Sequence, residues 1–490
     1  MRRMNTDSNQ QLLYELVAED VSSMIGNGTL LAGERVPSVR ELSRQKRLSI
    51  STVVQAYHLL EDWGLIEARP RSGYFVRAPR AHVEEPTISK PPRAPQAVDV
   101  YSLVNRVMDT QRLPQQRVRF GMAVPDASTL PARRLQRIIS SLARKRPEWI
   151  ANYSFPPGEE LLRRQVALYI RGWGVRLTAE DIVITNGCME ALNLALRAVT
   201  KPGDVVALES PTYFGILQLI ESFGLKALEI PTDPRTGVSL EALEQALERG
   251  RVNACLFMPT VSNPLGSTMP DANKRKLVQL LARHDVPLIE DSVYSAVHYG
   301  ATDPYAAKAY DHKGNVILCG SFSKTLAPGF RVGFIAPGRH YEAVRKLKFV
   351  TSIGVPELLQ AAVAEFLSSG GYHRYLRRLR RFAADQVMRH SEAVMRHFPR
   401  GTRMSRPSGG YVLWVEMPEG IDSIELQQQA AKHGIGLSPG AIYSATLRYR
   451  NCLRLNCGVK WSRESETAIE TLGEIAKKLA LRTREPAGVY

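Results

Sequence analysis

The sequence has few of the features that would place it in a membrane or in an oxidising compartment. No apolar run approaches the ~20 residues that span a bilayer, and the polar first residues do not resemble a signal peptide. The five cysteines are odd in number and show no C-x-x-C spacing, which argues against a disulfide framework and a zinc site. We therefore expect reduced thiols, no metal site, no membrane partner and a cytoplasmic location.

Acidic residues are also in short supply, because 48 Asp and Glu face 65 Lys and Arg in a chain of net charge +17. Such an excess favours a polyanionic partner, although a basic protein that binds none has the same composition. With 490 residues, the chain is long enough for several domains.

Proline marks the division between two regions of different pattern. Residues 10–76 show helical periodicity that ends in a hairpin, and residues 77–98 are a Pro-rich stretch that we expect to be an extended linker. The following region, 118–490 with a smaller α+β subdomain at about 400–490, alternates short apolar runs with amphipathic segments, which is typical of an α/β domain. The predicted buried strands are residues 181–185, 205–208, 254–258, 287–290 and 316–319.

The amino-terminal region carries the pattern of a helix-turn-helix with a wing. Pro37-Ser38 opens a short helix, and Ser49 is the predicted N-cap of the next. In that second helix, the predicted inner face has the spacing i, i+3, i+4, i+7 and comprises Val53, Ala56, Tyr57 and Leu60. Residues 67–76 then read as two short strands with a tight turn.

Nearly all of residues 10–76 resembles the GntR class of winged helix-turn-helix DNA-binding modules. The resemblance implies phosphate contacts from Arg35, Ser38 and Arg40, major-groove contacts from Ser49, Ser51, Thr52 and Gln55, and minor-groove contacts from Arg71 and Gly73. Many members carry arginine where this chain has Ile50, which changes the expected base preference. A winged helix used only for protein contacts remains the alternative.

Lys324 lies in the run Ser321-Phe322-Ser323-Lys324, seven residues before Arg331. An amine between hydroxyl groups, with a guanidinium close by, suits an aldehyde cofactor that carries a phosphate. The alternative is a solvated lysine in a surface loop.

Four upstream segments follow predicted strands in a consistent order. Gly187-Cys188-Met189 opens a helix whose amino terminus can bind phosphate, and an aromatic side chain, an Asn-Pro pair and a carboxylate with a tyrosine follow. These side chains are Tyr213, Asn263, Asp291 and Tyr294, and each taken alone is compatible with ordinary loop or core chemistry.

Together these motifs resemble fold-type I pyridoxal-phosphate enzymes of the aminotransferase family. The resemblance implies a Schiff base at Lys324, a ring-nitrogen partner in Asp291, ring-hydroxyl ligands in Asn263 and Tyr294, and a stacking ring in Tyr213. It further implies phosphate contacts from Cys188, Ser321, Ser323 and Arg331, a place for Met189 in the cofactor site, and a substrate-carboxylate contact from Arg454. Tyr153 matches a tyrosine that reaches a neighbouring subunit's phosphate, which implies a homodimer. Met189 replaces a polar side chain of many relatives.

In this order, the two regions resemble the MocR group of transcriptional regulators. The resemblance implies a head-to-tail dimer that binds a double-stranded DNA operator and senses pyridoxal 5'-phosphate or its adduct with an amino acid or amine. A working aminotransferase with an accessory DNA-binding module is the alternative, since the catalytic groups are all present.

Arg374, Arg377, Arg378 and Arg381 also share one helical face. A solvated face paired with acids is the favoured reading, and a second DNA-contact surface is the alternative.

Overall fold

The computed structural model describes residues 13–31, 33–62, 65–69, 72–76, 84–113, 115–300 and 302–482. The chain forms two compact units, Met1–Val83 and Glu84–Tyr490. Arg71, the start of the predicted module at residues 10–12 and residues 77–83 of the predicted linker lie outside the described residues. None of the described helices is long and apolar enough to cross a membrane.

The first unit is a three-helix arrangement followed by a β-hairpin. Its elements are α1 Leu13–Gly26, α2 Val39–Lys46, α3 Ile50–Asp62, β1 Ile66–Arg69 and β2 Gly73–Val76. A capping box starts α2, because Ser38 Oγ accepts from the Glu41 amide and the Glu41 carboxylate accepts from the Ser38 amide. The Thr52 amide donates to Ser49 Oγ, which confirms Ser49 as the N-cap of α3.

The core of this unit contains the whole predicted inner face of α3. Val53, Ala56, Tyr57 and Leu60 are fully buried. The Tyr57 hydroxyl donates to the Pro37 carbonyl oxygen at 2.6 Å, which ties α3 to the start of α2. The antiparallel pairing of β1 with β2 completes a winged helix-turn-helix, as predicted.

The larger unit contains the remaining helices and strands. Its helices are α4 Tyr101–Arg112, α5 Ala132–Lys145, α6 Glu148–Ala151, α7 Glu160–Ile170, α8 Cys188–Val199, α9 Phe214–Ser222, α10 Leu240–Glu248, α11 Asp271–His284, α12 Tyr341–Ser352, α13 Glu357–Ser368, α14 Tyr372–His397, α15 Ser423–Lys432 and α16 Arg463–Arg482. Its strands are β3 Gln96–Ala97, β4 Val118–Arg119, β5 Val183–Thr185, β6 Val205–Ser210, β7 Lys226–Asp233, β8 Gly237–Val238, β9 Ala254–Phe257, β10 Leu288–Asp291, β11 Val316–Ser321, β12 Gly333–Ala336, β13 Arg403–Met404, β14 Val412–Glu416, β15 Ile435–Gly436, β16 Ser438–Pro439 and β17 Cys452–Asn456.

The main sheet has the strand order β3-β7-β6-β9-β10-β11-β12-β5, and β8 pairs with β7. Strands β7, β6, β9, β10 and β11 are mutually parallel, whereas β12 is antiparallel to both of its neighbours. All five predicted strands lie in this sheet. Their apolar side chains are buried, as expected for strands covered on both faces.

The segments that carry the candidate site follow the carboxyl ends of these strands. Loops after β5, β6, β9, β10 and β11 therefore meet at one edge of the sheet, where ligands bind in open α/β folds. A second, antiparallel sheet of order β13-β14-β17-β16 forms the smaller carboxy-terminal part. This arrangement is a fold-type I aminotransferase fold with a smaller α+β part, as predicted.

The described part of the predicted linker differs from an exposed connection. Residues 84–98 pack on the larger unit, where Gln96–Ala97 pairs with β7 and the Thr232 amide donates to the Ser89 hydroxyl at 2.8 Å. Helix α4 also lies in the core of this unit, through the buried Val104 and Val107. The larger unit thus begins at residue 84 and not at residue 118, because the hydrogen bonds of Ser89 and the β-pairing of Gln96–Ala97 attach this stretch to the domain.

Candidate functional site

A cavity of about 260 Å³ lies at the carboxyl edge of the main sheet. Of the twelve predicted cofactor and carboxylate residues, eleven line it: Cys188, Met189, Tyr213, Asn263, Asp291, Tyr294, Ser321, Ser323, Lys324, Arg331 and Arg454. The structure thus brings together residues that are up to 266 positions apart in the sequence. Tyr153 does not line the cavity.

One end of the cavity is built for an anion. Arg331 Nη1 donates to Ser323 Oγ at 3.2 Å, and Nη2 donates to the Asn186 carbonyl oxygen at 3.3 Å. Gly187 precedes α8 with a φ of +80°, and a Cβ at this position would collide with the Arg331 guanidinium. Glycine is therefore required here, and it leaves the amino-terminal N–H groups of α8 beside the guanidinium.

Asp291 lies at the end of β10 and is 3% exposed. Its Oδ1 accepts from the Val293 amide at 3.0 Å and from Cys188 Sγ at 3.3 Å. Burial raises the pKa of the Asp291 carboxyl to about 6, and these hydrogen bonds oppose the rise. The Cys188 thiol thus contacts the carboxylate, not the hydroxyls of the anion end, and burial raises its pKa well above the usual value.

Lys324 projects into the cavity from the loop after β11. Its Nζ donates to the Ala123 carbonyl oxygen at 2.5 Å and lies 5.4 Å from the centre of the Tyr294 ring. Burial, assisted by the positive charge of Arg454, lowers the pKa of the Lys324 ammonium to about 8. An appreciable fraction of this amine is therefore unprotonated and nucleophilic near neutral pH.

Arg454 lies on β17 and is a buried cation, 1% exposed. Its Nη1 donates to Asn263 Oδ1 at 3.4 Å, its Nη2 donates to the Gly121 carbonyl oxygen, and its Nε has no hydrogen-bond partner among the described residues. No carboxylate of the same residues forms an ion pair with it. A buried guanidinium in this state favours an incoming anion, such as a carboxylate.

The backbone of residues 121–124 is part of the site, which the sequence patterns did not indicate. Carbonyl oxygens of Gly121 and Ala123 accept from Arg454 and Lys324, and the Tyr294 hydroxyl donates to the Ala123 oxygen at 3.3 Å. Every residue has a main-chain carbonyl, so the sequence does not indicate which carbonyls lie beside Lys324 and Arg454.

The remaining wall is mostly apolar. Tyr213 and Met189 line it together with Met108, Met122, Val124, Leu192, Phe214, Met258 and Val293. Burial raises the pKa of the Tyr213 hydroxyl to about 12, so this ring is neutral.

A buried network behind the anion end was also missed from the sequence. The Glu190 carboxylate accepts from Lys348 Nζ at 2.8 Å, from Ser352 Oγ at 2.6 Å and from the Asn186 amide at 2.6 Å. Although burial raises it, hydrogen bonds from Lys348 and Ser352 lower the pKa of Glu190 below its usual value. The network holds the turn that contains Gly187, and Glu190 in the first turn of α8 was the available sequence signal.

The predicted DNA-contacting side chains lie in the first unit. Arg35, Ser38, Arg40, Ser49, Ser51 and Gln55 are exposed, and Thr52 and Gly73 are half-buried. The Ser38 and Ser49 hydroxyls already cap helices, and a Cβ on Gly73 would lie 3.2 Å from the Arg35 guanidinium, so Arg35 packs on the wing.

Comparison with known families and proteins agrees with both units. Residues 125–472 match the family of class I and II aminotransferases, and residues 13–76 match the gntR family of bacterial regulatory proteins. The uncharacterized HTH-type transcriptional regulator YjiR of Escherichia coli (strain K12) is 38% identical over 94% of this chain and 98% of its own. The probable rhizopine catabolism regulatory protein MocR of Rhizobium meliloti is 28% identical over 87% of this chain and 85% of its own.

Among solved structures, LysN, the α-aminoadipate aminotransferase of Thermus thermophilus, superposes with a TM-score of 0.70 at 27% identity. The match covers 78% of this chain and 99% of that enzyme, whose structure holds N-(5'-phosphopyridoxyl)-L-leucine. The present chain belongs to the class I and II aminotransferase family and, with its GntR-type module, to the MocR-type transcriptional regulators.

Family membership implies pyridoxal 5'-phosphate as the cofactor, and the cavity suits it. The glycine-dependent cradle beside Arg331 fits a phosphate, and the half-buried amine of Lys324 fits an aldehyde. The buried carboxylate of Asp291 fits a protonated ring nitrogen.

The first prediction concerns the pH dependence of cofactor attachment. Since only the unprotonated Lys324 amine attacks an aldehyde, the attachment rate should rise about tenfold per pH unit below about pH 8 and level off above it. Stopped-flow absorbance on mixing cofactor-free protein with pyridoxal phosphate measures this rate. Lys324→Ala is the control and should yield no borohydride-trapped adduct; a midpoint near about pH 10.4, the ordinary lysine value, would contradict the prediction.

The second prediction concerns the Glu190–Lys348 pair. Lys348→Met should weaken cofactor binding by about 5- to 150-fold, because Glu190 loses its cationic partner and holds the turn at Gly187 less firmly. Absorbance titration with pyridoxal phosphate measures the dissociation constant.

A matched control uses another buried ion pair, in which Lys308 Nζ lies 2.9 Å from the Asp311 carboxylate. Both Lys308→Met and Lys348→Met should lower the unfolding free energy by about 3–5 kcal/mol, as expected for a broken buried pair. Equal cofactor affinities in the two variants would contradict the prediction and would show that the Glu190 network only stabilises the fold.

Proposed function

We propose that this protein is a DNA-binding transcriptional regulator whose aminotransferase-like domain binds pyridoxal 5'-phosphate and, through it, senses an amino acid or an amine. The observation that carries the proposal is the cavity that joins Lys324, Asp291, Arg331 and Arg454 in a chain that also holds a winged helix-turn-helix. A cofactor site and a DNA reader on one chain are the two parts that such a sensor needs.

When bound, pyridoxal phosphate supplies an aldehyde for an amine and a ring that withdraws electrons. Arg331, Ser321, Ser323 and the amino-terminal amides of α8 at Cys188 and Met189 bind the phosphate. Lys324 provides the amine, and Asp291 holds a proton on the ring nitrogen. Asn263 and Tyr294 orient the ring hydroxyl, and Tyr213 packs on the ring.

Arg454 gives the effector site its chemistry. Its unpaired, buried guanidinium would bind the carboxylate of an amino acid in place of the Gly121 carbonyl oxygen. Asn263 Oδ1 accepts from Arg454 at 3.4 Å, so Asn263 would orient the guanidinium.

In the first unit, Arg35, Ser38 and Arg40 contact DNA phosphates, and Ser49, Ser51, Thr52 and Gln55 read the major groove, with Arg71 and Gly73 at the minor groove. The exposure of the described arginines and of the first turn of α3 supports this assignment. Because its target is DNA, we place the regulator in the cytoplasm.

A homodimer, head-to-tail as in the resembling regulators, completes the proposal. An aromatic and aliphatic patch supports it, because Tyr153 is 76% exposed and Phe155 stacks on the exposed Phe349 with ring centroids 6.3 Å apart. Val350 and Ile353 extend the patch. Arg331 is itself exposed, which leaves room for Tyr153 of a second copy at the phosphate.

The third prediction is a coupling between the cofactor site and DNA affinity. Full-length protein should retard a duplex from the region upstream of its own gene, and saturation with pyridoxal phosphate should change its dissociation constant by about 5- to 150-fold. Mobility shift at fixed, low salt measures the effect. Lys324→Ala should bind the duplex without the cofactor response, and an equal response in this variant would defeat the sensor.

A second candidate, a working aminotransferase, is favoured by one observation: Lys324, Asp291 and Arg454 all face one cavity. The fourth prediction separates the candidates by steady-state assay with a panel of amino acids and a keto-acid acceptor. A sensor should give slow spectral conversion without sustained turnover. Turnover near about 1–10³ per second would favour the enzyme.

A further inference from the structure

Helix α14 carries a row of exposed arginines on the larger unit. Arg374, Arg377, Arg378 and Arg381 are all exposed, whereas Leu376 and Leu379 of the same turns are buried. At a rise of about 1.5 Å per residue, the row is about 10 Å long. These four side chains, the α14 arginine row, form one charged face.

The α14 arginine row lacks the acidic partners expected for a solvated face. None of the four forms an ion pair with a residue in the described ranges, although other arginines of the helix do. Arg380 lies 2.6 Å from the Asp303 carboxylate, and Arg389 lies 2.9 Å from that of Asp385. The face is exposed, as a solvated face would be, but the expected pairing with acids is not found among the described residues.

A neighbouring helix extends the positive region. Arg134 of α5 donates to Ser369 Oγ at 2.5 Å. Its guanidinium would lie 2.7 Å from a Cβ placed on Gly371, the residue immediately before α14. Helix α5 also carries Arg133, Arg137, Arg144 and Lys145 and no acidic residue.

The distribution of charge along the chain points the same way. Residues 10–76 contain seven Lys and Arg against eight Asp and Glu, which leaves 58 basic against 40 acidic residues in the rest of the chain. The winged helix thus supplies little of the electrostatic attraction to DNA that the chain as a whole provides.

We propose that the α14 arginine row binds the phosphate backbone of double-stranded DNA, as a sequence-independent contact made by the larger unit. The inference rests on the proposed DNA-binding function and adds a second contact surface to it. Arginine suits this role because its guanidinium binds phosphate in bidentate geometry.

The magnitude can be bounded. Double-stranded DNA carries one charge per about 1.7 Å of axis, so a row of about 10 Å faces about six phosphate charges. Each neutralised phosphate adds about 0.9 to the slope of log affinity against log salt, so four contacts add at most about 3.6.

The experiment compares two full-length, cofactor-loaded variants. One carries Arg374→Gln, Arg377→Gln, Arg378→Gln and Arg381→Gln. The control replaces four other exposed arginines of the larger unit, none ion-paired within the described residues, with glutamine: Arg249, Arg251, Arg400 and Arg463. Fluorescence anisotropy follows binding to the upstream duplex and to an unrelated duplex between about 50 and about 200 mM salt.

The row variant should bind both duplexes at least about tenfold more weakly at low salt, with the slope reduced by about 2 to at most about 3.6, while the control stays near wild type. Unchanged melting temperature and cofactor absorbance in both variants show that the fold is intact. Equal losses in the two variants would assign the effect to net charge and overturn the inference, as would an unchanged row variant.

Two further outcomes have distinct meanings. Binding of wild type to neither duplex would remove the proposed DNA-binding function and this inference with it. Row-dependent binding to vesicles of anionic phospholipid, with DNA affinity unchanged, would replace DNA by a lipid surface and overturn the inference alone.

Discussion

The functional site depends on an excess of positive charge around one carboxylate. Lys324, Arg331 and Arg454 line a cavity in which Asp291 is the only acidic residue among the described residues of the wall. Burial makes this imbalance of charge costly. Burial also lowers the pKa of the Lys324 ammonium and raises the pKa of the Asp291 carboxyl. A ligand with one anionic group at Arg331 and another at Arg454 would relieve the imbalance, which supports the proposed pairing of a phosphorylated cofactor with a carboxylate effector.

The main-chain carbonyls of Gly121 and Ala123 lie beside two of these cations. They accept hydrogen bonds from Arg454 and Lys324, so a ligand that occupies both cations must displace them. Asn456 holds both ends of this segment, because its amide donates to the Phe120 carbonyl oxygen at 2.7 Å and its side chain donates to that of Val124 at 3.2 Å. These two hydrogen bonds fix the ends of the segment that presents the Gly121 and Ala123 carbonyl oxygens to the cavity.

Local sequence patterns sufficed for most of the elements, whereas most of the cavity residues were predicted through the resemblance to the aminotransferase family. Helical spacing predicted the inner face of α3, and short apolar runs predicted the buried strands. The run of residues around Lys324 singled out this lysine. The Glu190–Lys348 pair joins residues 158 positions apart, so no local pattern links Glu190 to its partner. The carbonyls at Gly121 and Ala123 belong to the main chain, which side-chain patterns do not mark. The prolines at 86–95 indicated an extended linker, yet Ser89 is hydrogen-bonded to Thr232 of β7 and Gln96 pairs with the same strand.

Charge alone cannot connect the cofactor site to DNA affinity, because screening limits the field of a bound phosphate to about 10 Å at moderate salt. Contact can. The Tyr375 hydroxyl of α14 donates to the Thr325 carbonyl oxygen at 2.6 Å, directly after Lys324, and the Tyr411 hydroxyl donates to the Lys324 carbonyl oxygen at 2.8 Å. The helix that bears the arginine row is therefore bonded on its buried face to the loop that holds the cofactor lysine. In the proposed regulator, the Tyr375 hydrogen bond is the described contact through which a change in the loop at Lys324 would reach the helix that bears the arginine row.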